Sequence, residues 1–184
     1  HWYRGEVSPD DSIGGNNGVA TGSIAYIDEG RIGSSILFDG ASTLTINRTV
    51  ENDFSIEFWM ISANVGGTSD TDWTQGAGLV ANDEFGVTIG NGKVMFGVGG
   101  STITSNAAVN DSQWHHVVAT RERATGLMRL FIDGVVQTAT ANGGTNPLNG
   151  GAQLVFGRRA AGPFYDGLLD EIKIYGTNLR DEQV

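Results

Sequence analysis

Apolar and polar residues alternate most regularly in the segment 54–60, and this period of two indicates a β-strand rather than a helix. Because successive side chains of a strand point to opposite faces, the even positions form one apolar face. Glu57 and Trp59 belong to the other face, which we expect to point away from the core. The residues of the apolar face are Phe54, Ile56, Phe58 and Met60.

Two dipeptides that accept positive backbone φ angles, Asn91-Gly92 and Asp133-Gly134, each separate two short apolar segments. Each of them predicts a tight β-hairpin. We also predict one short C-terminal helix, in which Asn178 caps residues 179–182. Evenly spaced strands without helical patterns between them predict an all-β sandwich or barrel. Further strands are predicted near 34–38, 43–46, 78–82, 114–120, 152–157 and 168–175.

The length of 184 residues suits one domain, so we predict a single domain over residues 1–184. The chain contains no cysteine, which excludes disulfides, Cys-ligated metal centres and thiol nucleophiles. No apolar run approaches the ~20 residues that a membrane-spanning helix needs, so we expect no membrane span. The chain starts at His1 rather than at a methionine, and we interpret it as a module excised from a larger protein.

The formal net charge is −10, and Lys93 and Lys173 are the only lysines. Binding to a nucleic-acid backbone requires clustered lysine and arginine, so a nucleic-acid partner is disfavoured. An acidic, lysine-poor surface suits solubility outside the cell. We therefore predict an extracellular or cell-surface location.

Six segments, taken in order, resemble the laminin-G-like (concanavalin A-like) jelly-roll domains that are common in bacterial surface proteins. The resemblance runs from about residue 11 to residue 183 and implies a two-sheet antiparallel jelly-roll sandwich. It identifies a fold far better than a ligand. The segments are LFDG at 37–40, FSIEFW at 54–59, QWHHVV at 113–118, LFIDG at 130–134, FG at 156–157 and YDGLLDEIKIY at 165–175.

Domains of this type often carry a structural calcium ion that ties the N-terminal loop to the last core strand, so the resemblance implies Ca²⁺ as a cofactor. Calcium prefers six to eight oxygen ligands. Strand parity places Asp170 on the same face as Leu168 and Ile172, and a carboxylate on an apolar face needs a metal or hydrogen-bond donors. The alternative is that loop amides supply those donors. The candidate metal ligands are Asp11, Asn16, Asn17, Asp39 and Asp170.

The sequence does not show the acidic pattern of the related glucanases. A retaining hydrolase needs two carboxyl groups about 5–5.5 Å apart, and position i+2 from Glu57 is Trp59 rather than an acid. The adjacent His115 and His116 point to opposite faces of a strand, so we interpret them as structural residues rather than a metal pair. We therefore expect no catalytic residue.

Candidate ligand-binding residues fall into three groups. Trp73 and Asp72 lie in a polar loop, where the tryptophan is either a loop anchor or a stacking platform for a sugar ring. Arg158 and Tyr165 belong to a second candidate surface, on which arginine can pair with a uronate or a sulfate ester. The third group, Glu57 and Trp59, forms either a sugar platform or a packing contact.

The hypothesis that follows is a non-catalytic, lectin-like carbohydrate-binding module stabilised by calcium. Its partners would be a polysaccharide or glycan and the covalently linked neighbouring domains of a parent protein. An alternative is a protein–protein adhesion or spacer module that binds no sugar. A glycoside hydrolase or lyase is less favoured because the paired acids are missing.

Overall fold

Sixteen mostly short strands form the framework of the computed structural model, which describes residues 1–184. Two 3₁₀ turns, Trp73–Gln75 and Asp181–Gln183, are its helical elements. The sixteen strands are β1 Trp2–Tyr3, β2 Val19–Thr21, β3 Ala25–Ile27, β4 Ser35–Asp39, β5 Thr43–Asn47, β6 Phe54–Ile61, β7 Ala77–Ala81, β8 Phe85–Gly90, β9 Lys93–Val98, β10 Ser101–Thr104, β11 His115–Arg121, β12 Leu127–Ile132, β13 Val135–Val136, β14 Ala141–Asn142, β15 Gln153–Phe156 and β16 Asp166–Tyr175.

The strands form two antiparallel sheets, which confirms the predicted two-sheet jelly-roll sandwich. The nine-stranded sheet has the order β13-β12-β11-β6-β16-β4-β3, with β1 paired to β16 and β14 paired to β12. The seven-stranded sheet has the order β10-β9-β8-β7-β15-β5-β2. Consecutive strands pair at several places, but the centre of each sheet depends on strands that are distant in sequence, such as β6 with β16 and β7 with β15.

Both predicted hairpins are present. Asn91 and Gly92 have φ angles of 50° and 78°, and Asp133 and Gly134 have 52° and 75°. Positive φ at both central positions matches the twist of the flanking strands, which explains why asparagine or aspartate precedes glycine here.

The core lies between the two sheets and contains a cluster of 32 buried residues. Strand β6 contributes its even positions, and the side chains of Phe54 and Phe58 are 0% exposed. Glu57 and Trp59 are partly exposed on the outer face of the nine-stranded sheet. The parity predicted for this strand is therefore confirmed.

Strand β16 departs from the parity that the sequence predicted. Its register against β6 shifts between Asp170 and Lys173, and Glu171 at the shift has a φ of 51°. The core residue before the shift is Leu169, whereas Ile172 belongs to the core after it. An extra residue in one strand exchanges the faces of all residues beyond it.

The shift corrects the environment predicted for Asp170. This residue pairs with Trp59 of β6, so it lies on the outer face and not beside Ile172. Asp170 is nevertheless 0% exposed. Its burial comes from the loop before β4 rather than from the core, because the backbone N–H of Ile32 donates to its carboxylate.

The predicted C-terminal helix is reduced to the 3₁₀ turn Asp181–Gln183, which follows Arg180 rather than Asn178. The backbone N–H of Leu179 instead donates to the hydroxyl of Ser55 on β6, which holds this segment extended. No helix in the structure is both long and apolar enough to cross a membrane.

Candidate binding surface

Three neighbouring strands, β11, β6 and β16, carry a group of polar and aromatic side chains on the outer face of the nine-stranded sheet. Glu57 lies directly opposite Lys173 of β16, and Trp59 lies opposite His116 of β11. Directly opposed side chains on one face are close enough to interact. The pairing register therefore brings these four residues together.

Glu57 is the centre of a hydrogen-bond network. Its carboxylate accepts from the Tyr175 hydroxyl at 2.6 Å and lies 3.1 Å from His116 Nε2 and 3.4 Å from Lys173 Nζ. Burial raises the pKa of Glu57, but these hydrogen bonds and the charge of Lys173 outweigh it and hold the pKa at about 2. The carboxylate is therefore ionised and fixed in place at neutral pH.

Trp59 is flanked by a second aromatic ring and a cation. The imidazole of His116 lies 4.9 Å from the indole ring, centre to centre, with a tilt of 32°. The exposed Arg31 places its guanidinium 4.6 Å from the centre of the same ring. These contacts orient the indole while leaving it partly exposed.

A second tryptophan that sequence reasoning did not select lies on the same side of β16. Trp2 of β1 pairs with Lys173, and its indole N–H donates to Glu171 at 2.8 Å. Lys173 Nζ is 5.7 Å from the centre of the Trp2 ring. No local pattern predicts this contact, because β1 has two residues and its partner strand lies at the other end of the chain. The tryptophan platform, as we name this surface, comprises Trp2, Glu57, Trp59, His116, Lys173 and Tyr175.

Trp73 lies against the other sheet and is only 1% exposed. Its ring packs on Gly97 of β9, and its indole N–H donates to the backbone oxygen of Gly99 at 2.9 Å. The guanidinium of Arg159 lies 4.7 Å from the ring centre. The structure thus places Trp73 in the role of a loop anchor, and a stacking role is not open to a ring buried in this way.

The remaining candidate ligand-binding residues are also occupied locally. Asp72 caps the first 3₁₀ turn by accepting from the backbone N–H of Thr74 at 3.0 Å. Arg158 lies over the ring of Phe164 at 4.3 Å. Tyr165 is 1% exposed and donates its hydroxyl to backbone oxygens, so its predicted contact with a ligand is corrected to a core role.

Asp11 is surrounded by hydrogen-bond donors. Its carboxylate accepts backbone N–H groups from Trp2, Gly14 and Asn16 at 3.0–3.1 Å, and His1 Nδ1 lies 2.5 Å away. Burial raises the pKa of Asp11, but the backbone donors outweigh it and lower the pKa. Donors that converge on a carboxylate occupy the lone pairs that a cation would need.

The other four predicted metal ligands have separate partners. Asn16 exchanges two hydrogen bonds with the backbone of Asn47, and Asn17 accepts from the backbone N–H of Asp11. Asp39 accepts within its own turn, from Ala41 and Ser42. Asp170 accepts from the backbone N–H groups of Ile32 and Glu171; burial, with the charge of Glu171, raises its pKa.

Each of the five predicted ligands thus has hydrogen-bond partners of its own within the protein, and no group of three acidic or histidine side chains has a geometry that holds a metal ion. One buried carboxylate oxygen, Glu171 Oε1, has no hydrogen-bond partner. It lies 3.8 Å from Arg4 Nε, which also has no hydrogen-bond partner, so the two groups form an ion pair with each other. Calcium binding itself stays a prediction.

The two antiparallel sheets define a jelly-roll sandwich. The profile described as the concanavalin A-like lectin/glucanases superfamily, of laminin-G type, matches residues 33–184. The chain therefore belongs to this superfamily, as the sequence resemblance indicated. No curated protein matches the sequence.

Solved structures with the same fold are distant in sequence. Domain 4 of AbnA, a GH43 extracellular arabinanase from Geobacillus stearothermophilus solved in complex with arabinotriose, has a TM-score of 0.76 and 20% identity over 99% of this chain and 94% of that chain. The binding domain of Paraclostridial Mosquitocidal Protein 1 has a TM-score of 0.67 and 16% identity over 91% of this chain. The match covers only 46% of that toxin domain, so this chain is similar to about half of it.

Proposed function

We propose that this chain is a non-catalytic carbohydrate-binding module of a secreted or cell-surface protein. The observation that carries the proposal is the tryptophan platform, where a partly exposed Trp59 stands beside polar groups held by hydrogen bonds. Carbohydrate sites combine an aromatic surface for the C–H face of a sugar with a few fixed polar groups for its hydroxyls.

The polar groups of the platform include an acceptor for the hydrogen of a sugar hydroxyl and a donor to its oxygen. The ionised Glu57 carboxylate has two donors on Oε1 and one on Oε2, which leaves an acceptor site on Oε2, and Lys173 Nζ, at 3.4 Å from Oε1, donates. Hydrogen bonds to charged groups are about twice as strong as neutral ones. The side chains of Glu57 and His116 are only 16% and 15% exposed, so little ordering remains to be done when a sugar binds.

The state of Glu57 supports a binding role rather than hydrolysis. A general acid must hold a proton near neutral pH, whereas the pKa of Glu57 is about 2. The nearby Glu171 accepts the indole N–H of Trp2 and faces Arg4, so it is committed to structure. Neither carboxyl group is suited to donating a proton to a glycosidic oxygen.

The similarity to AbnA domain 4 gives further support, because that domain was solved in complex with arabinotriose. At 20% identity the similarity extends to the fold and not to individual ligand contacts. It nevertheless makes arabinan a sensible first probe.

The test is an affinity measurement on arabinan, xylan, β-glucan and mannan with the wild type and two matched variants. Trp59→Ala removes an aromatic ring from the platform, and Phe164→Ala removes one from beside Arg158 on the other surface. We expect at least one polysaccharide to bind, with affinity lowered by about tenfold in Trp59→Ala and unchanged in Phe164→Ala. Binding that depends on Phe164 instead would move the site, and no binding at all would overturn the proposal.

A second candidate function is protein–protein adhesion through a sheet edge. Strands β13 and β2 are edge strands, and Val19 of β2 and Val135 of β13 are 68% and 62% exposed. Exposed apolar edge strands can pair with a strand from another protein. This function would be favoured if the domain bound no glycan and self-associated, and if Val135→Lys abolished the self-association.

The calcium ion implied by the sequence resemblance is kept as a separate proposal. Its test is thermal unfolding of the wild type and Asp11→Asn in EDTA and in calcium, since an ion bound only to the native state raises stability. We expect Asp11→Asn to destabilise the protein equally in both conditions, because its carboxylate binds N–H groups. A destabilisation seen only in calcium would instead make Asp11 a ligand.

A further inference from the structure

Two partly exposed tryptophans, rather than one, lie on the outer face of the nine-stranded sheet. Trp2, Lys173 and Glu57 form a row across β1, β16 and β6. Trp59 lies two residues further along β6 on the same face. With strands about 4.8 Å apart and residues about 3.4 Å apart along a strand, the two tryptophans are separated by about 10 Å across the sheet and about 7 Å along it.

The space between the two rings is polar. Lys173 lies between Trp2 and Glu57 in the row. Its ammonium group is 3.4 Å from Glu57 and 5.7 Å from the centre of the Trp2 ring. An apolar ring at each end and a donor–acceptor pair in the middle are spaced too widely for a single sugar. They suit a chain in which ring faces and hydroxyl groups recur at regular intervals.

The platform is a sheet face that lines none of the main concavities of the molecule. A concavity of about 480 Å³ lies at the C-terminal segment and is lined by other residues, including Arg129, Arg180 and Glu182. An open sheet face lets a chain enter and leave on both sides, whereas an enclosed pocket accommodates a chain end.

The cations near the two rings do not block this surface. Arg31 is exposed and can change rotamer at little cost, so a sugar can replace its guanidinium on the Trp59 indole. Arg4 Nε faces Glu171 at 3.8 Å, so the Arg4 guanidinium, 5.2 Å from the Trp2 ring centre, stays at the edge of that ring. The indoles themselves stay in place, because His116 packs on Trp59 and Glu171 holds the N–H of Trp2.

We infer that the tryptophan platform takes an internal stretch of a polysaccharide chain, with one sugar ring on Trp2, another on Trp59 and the intervening hydroxyls on Lys173 and Glu57. The ligand class is therefore an extended glycan of at least three residues, not a monosaccharide or a chain terminus. The inference rests on the proposed carbohydrate-binding function. Linking two weak contacts in one ligand makes the second contact intramolecular, so affinity grows with chain length until both rings are covered.

The experiment is calorimetric titration of the wild-type protein with arabinan, xylan and β-glucan oligosaccharides of one, three and six residues. In the series that binds, we expect the hexasaccharide to bind at least about tenfold more tightly than the monosaccharide. We expect Trp2→Ala and Trp59→Ala each to remove most of that gain, and Phe164→Ala to retain it. The wild-type length series keeps the test valid even where a variant unfolds.

The possible failures are distinguishable. A monosaccharide that binds as tightly as its hexasaccharide, or a folded Trp2→Ala protein with unchanged hexasaccharide affinity, would overturn the extended-chain inference and leave the binding function standing. Absence of binding in every series and to every parent polysaccharide would overturn the binding function as well.

Discussion

The outer faces of the two sheets each carry a tryptophan, and the two residues have opposite environments. Trp59 stands on the nine-stranded sheet and is partly exposed. Trp73 packs on the seven-stranded sheet and is 1% exposed. One tryptophan is presented to solvent by its own strand, whereas the other is brought in by a loop.

The difference originates in the strands rather than in the tryptophans. On the seven-stranded sheet, glycine occupies outward positions at Gly78, Gly86 and Gly97. A Cβ atom at Gly78 would collide with the backbone of Arg158, and one at Gly97 would collide with the Trp73 ring. The surface without side chains admits a loop and its indole ring. On the nine-stranded sheet the outward positions carry side chains such as Glu57 and Lys173, which pack around Trp59 from the sides. A tryptophan in a turn-rich loop can be buried against a glycine-lined sheet face, as Trp73 is. It therefore indicates ligand binding only where the sheet beneath it carries side chains.

The largest effect that the comparison predicts is on stability. Trp73→Ala removes a buried ring and its hydrogen bond to Gly99, so we expect a loss of about 3–5 kcal/mol in the free energy of unfolding. Trp59→Ala should cost less than this, because its ring is partly exposed. Chemical denaturation of both variants measures the difference, and equal losses would remove the distinction between the two faces.

The glycine surface itself is tested by adding one methyl group. Gly97→Ala places a Cβ atom against the Trp73 ring, and we expect a loss of up to about 3 kcal/mol in unfolding free energy from overpacking. Gly99, where an added Cβ has no neighbour within 4 Å but φ is 55°, provides a control for backbone strain alone. The proposed contact would be absent if the loss of unfolding free energy in the double variant Gly97→Ala/Trp73→Ala equalled the sum of the losses in the two single variants.

Glu57 should give the platform a characteristic pH dependence. Its pKa falls from 4.5 to about 2 on folding, which amounts to about 2 kcal/mol once screening by solvent is allowed for. Because the folded-state pKa is the lower one, this stability is present above pH 4.5 and is lost as pH falls through 2. Urea denaturation of the wild type and Glu57→Gln should therefore differ at pH 7 and converge near pH 2.

A control for this prediction lies on the other face. Asp72 also has a lowered pKa, chiefly from hydrogen bonds with Thr74, but it is exposed. Asp72→Asn should leave the pH dependence almost unchanged, since solvent screens an exposed carboxylate. If the pH dependence of the unfolding free energy at acidic pH changed equally in both variants, the Glu57 network would have no specific effect on stability.

The smallest energetic change concerns binding. Trp59→Ala should lower the affinity for a bound polysaccharide by about tenfold, equivalent to about 1.4 kcal/mol. Trp73→Ala should leave the affinity of the folded protein unchanged, because its ring does not reach the platform. Titration at a temperature where both variants are folded measures this, and the reverse ranking would place the site on the seven-stranded sheet.

The fold follows largely from local patterns. Alternation in β6 and the two dipeptides at Asn91 and Asp133 predict strands, faces and hairpins correctly, since each depends on residues adjacent in sequence. The resemblance adds the two-sheet jelly-roll arrangement. The register shift at Glu171 lies beyond such reasoning, because it depends on how β16 pairs with β6.

The candidate site is less accessible from sequence. Glu57 and Trp59 are predicted as an outward-facing pair, but their neighbours His116 and Lys173 come from strands that are distant in sequence. Trp2 is invisible to any local pattern. The predicted calcium ligands illustrate the same limit, since an acidic loop looks alike whether it binds an ion or, as at Asp11, backbone N–H groups.

The most direct test of the account is to follow the indole N–H resonances of the four tryptophans while the protein is titrated with arabinan, xylan or β-glucan hexasaccharide. Each resonance reports one ring, so both faces are compared in a single spectrum. The account predicts that the Trp2 and Trp59 signals shift in a saturable manner while the Trp73 signal remains in place. A saturable shift of Trp73 with Trp2 and Trp59 unmoved would contradict it.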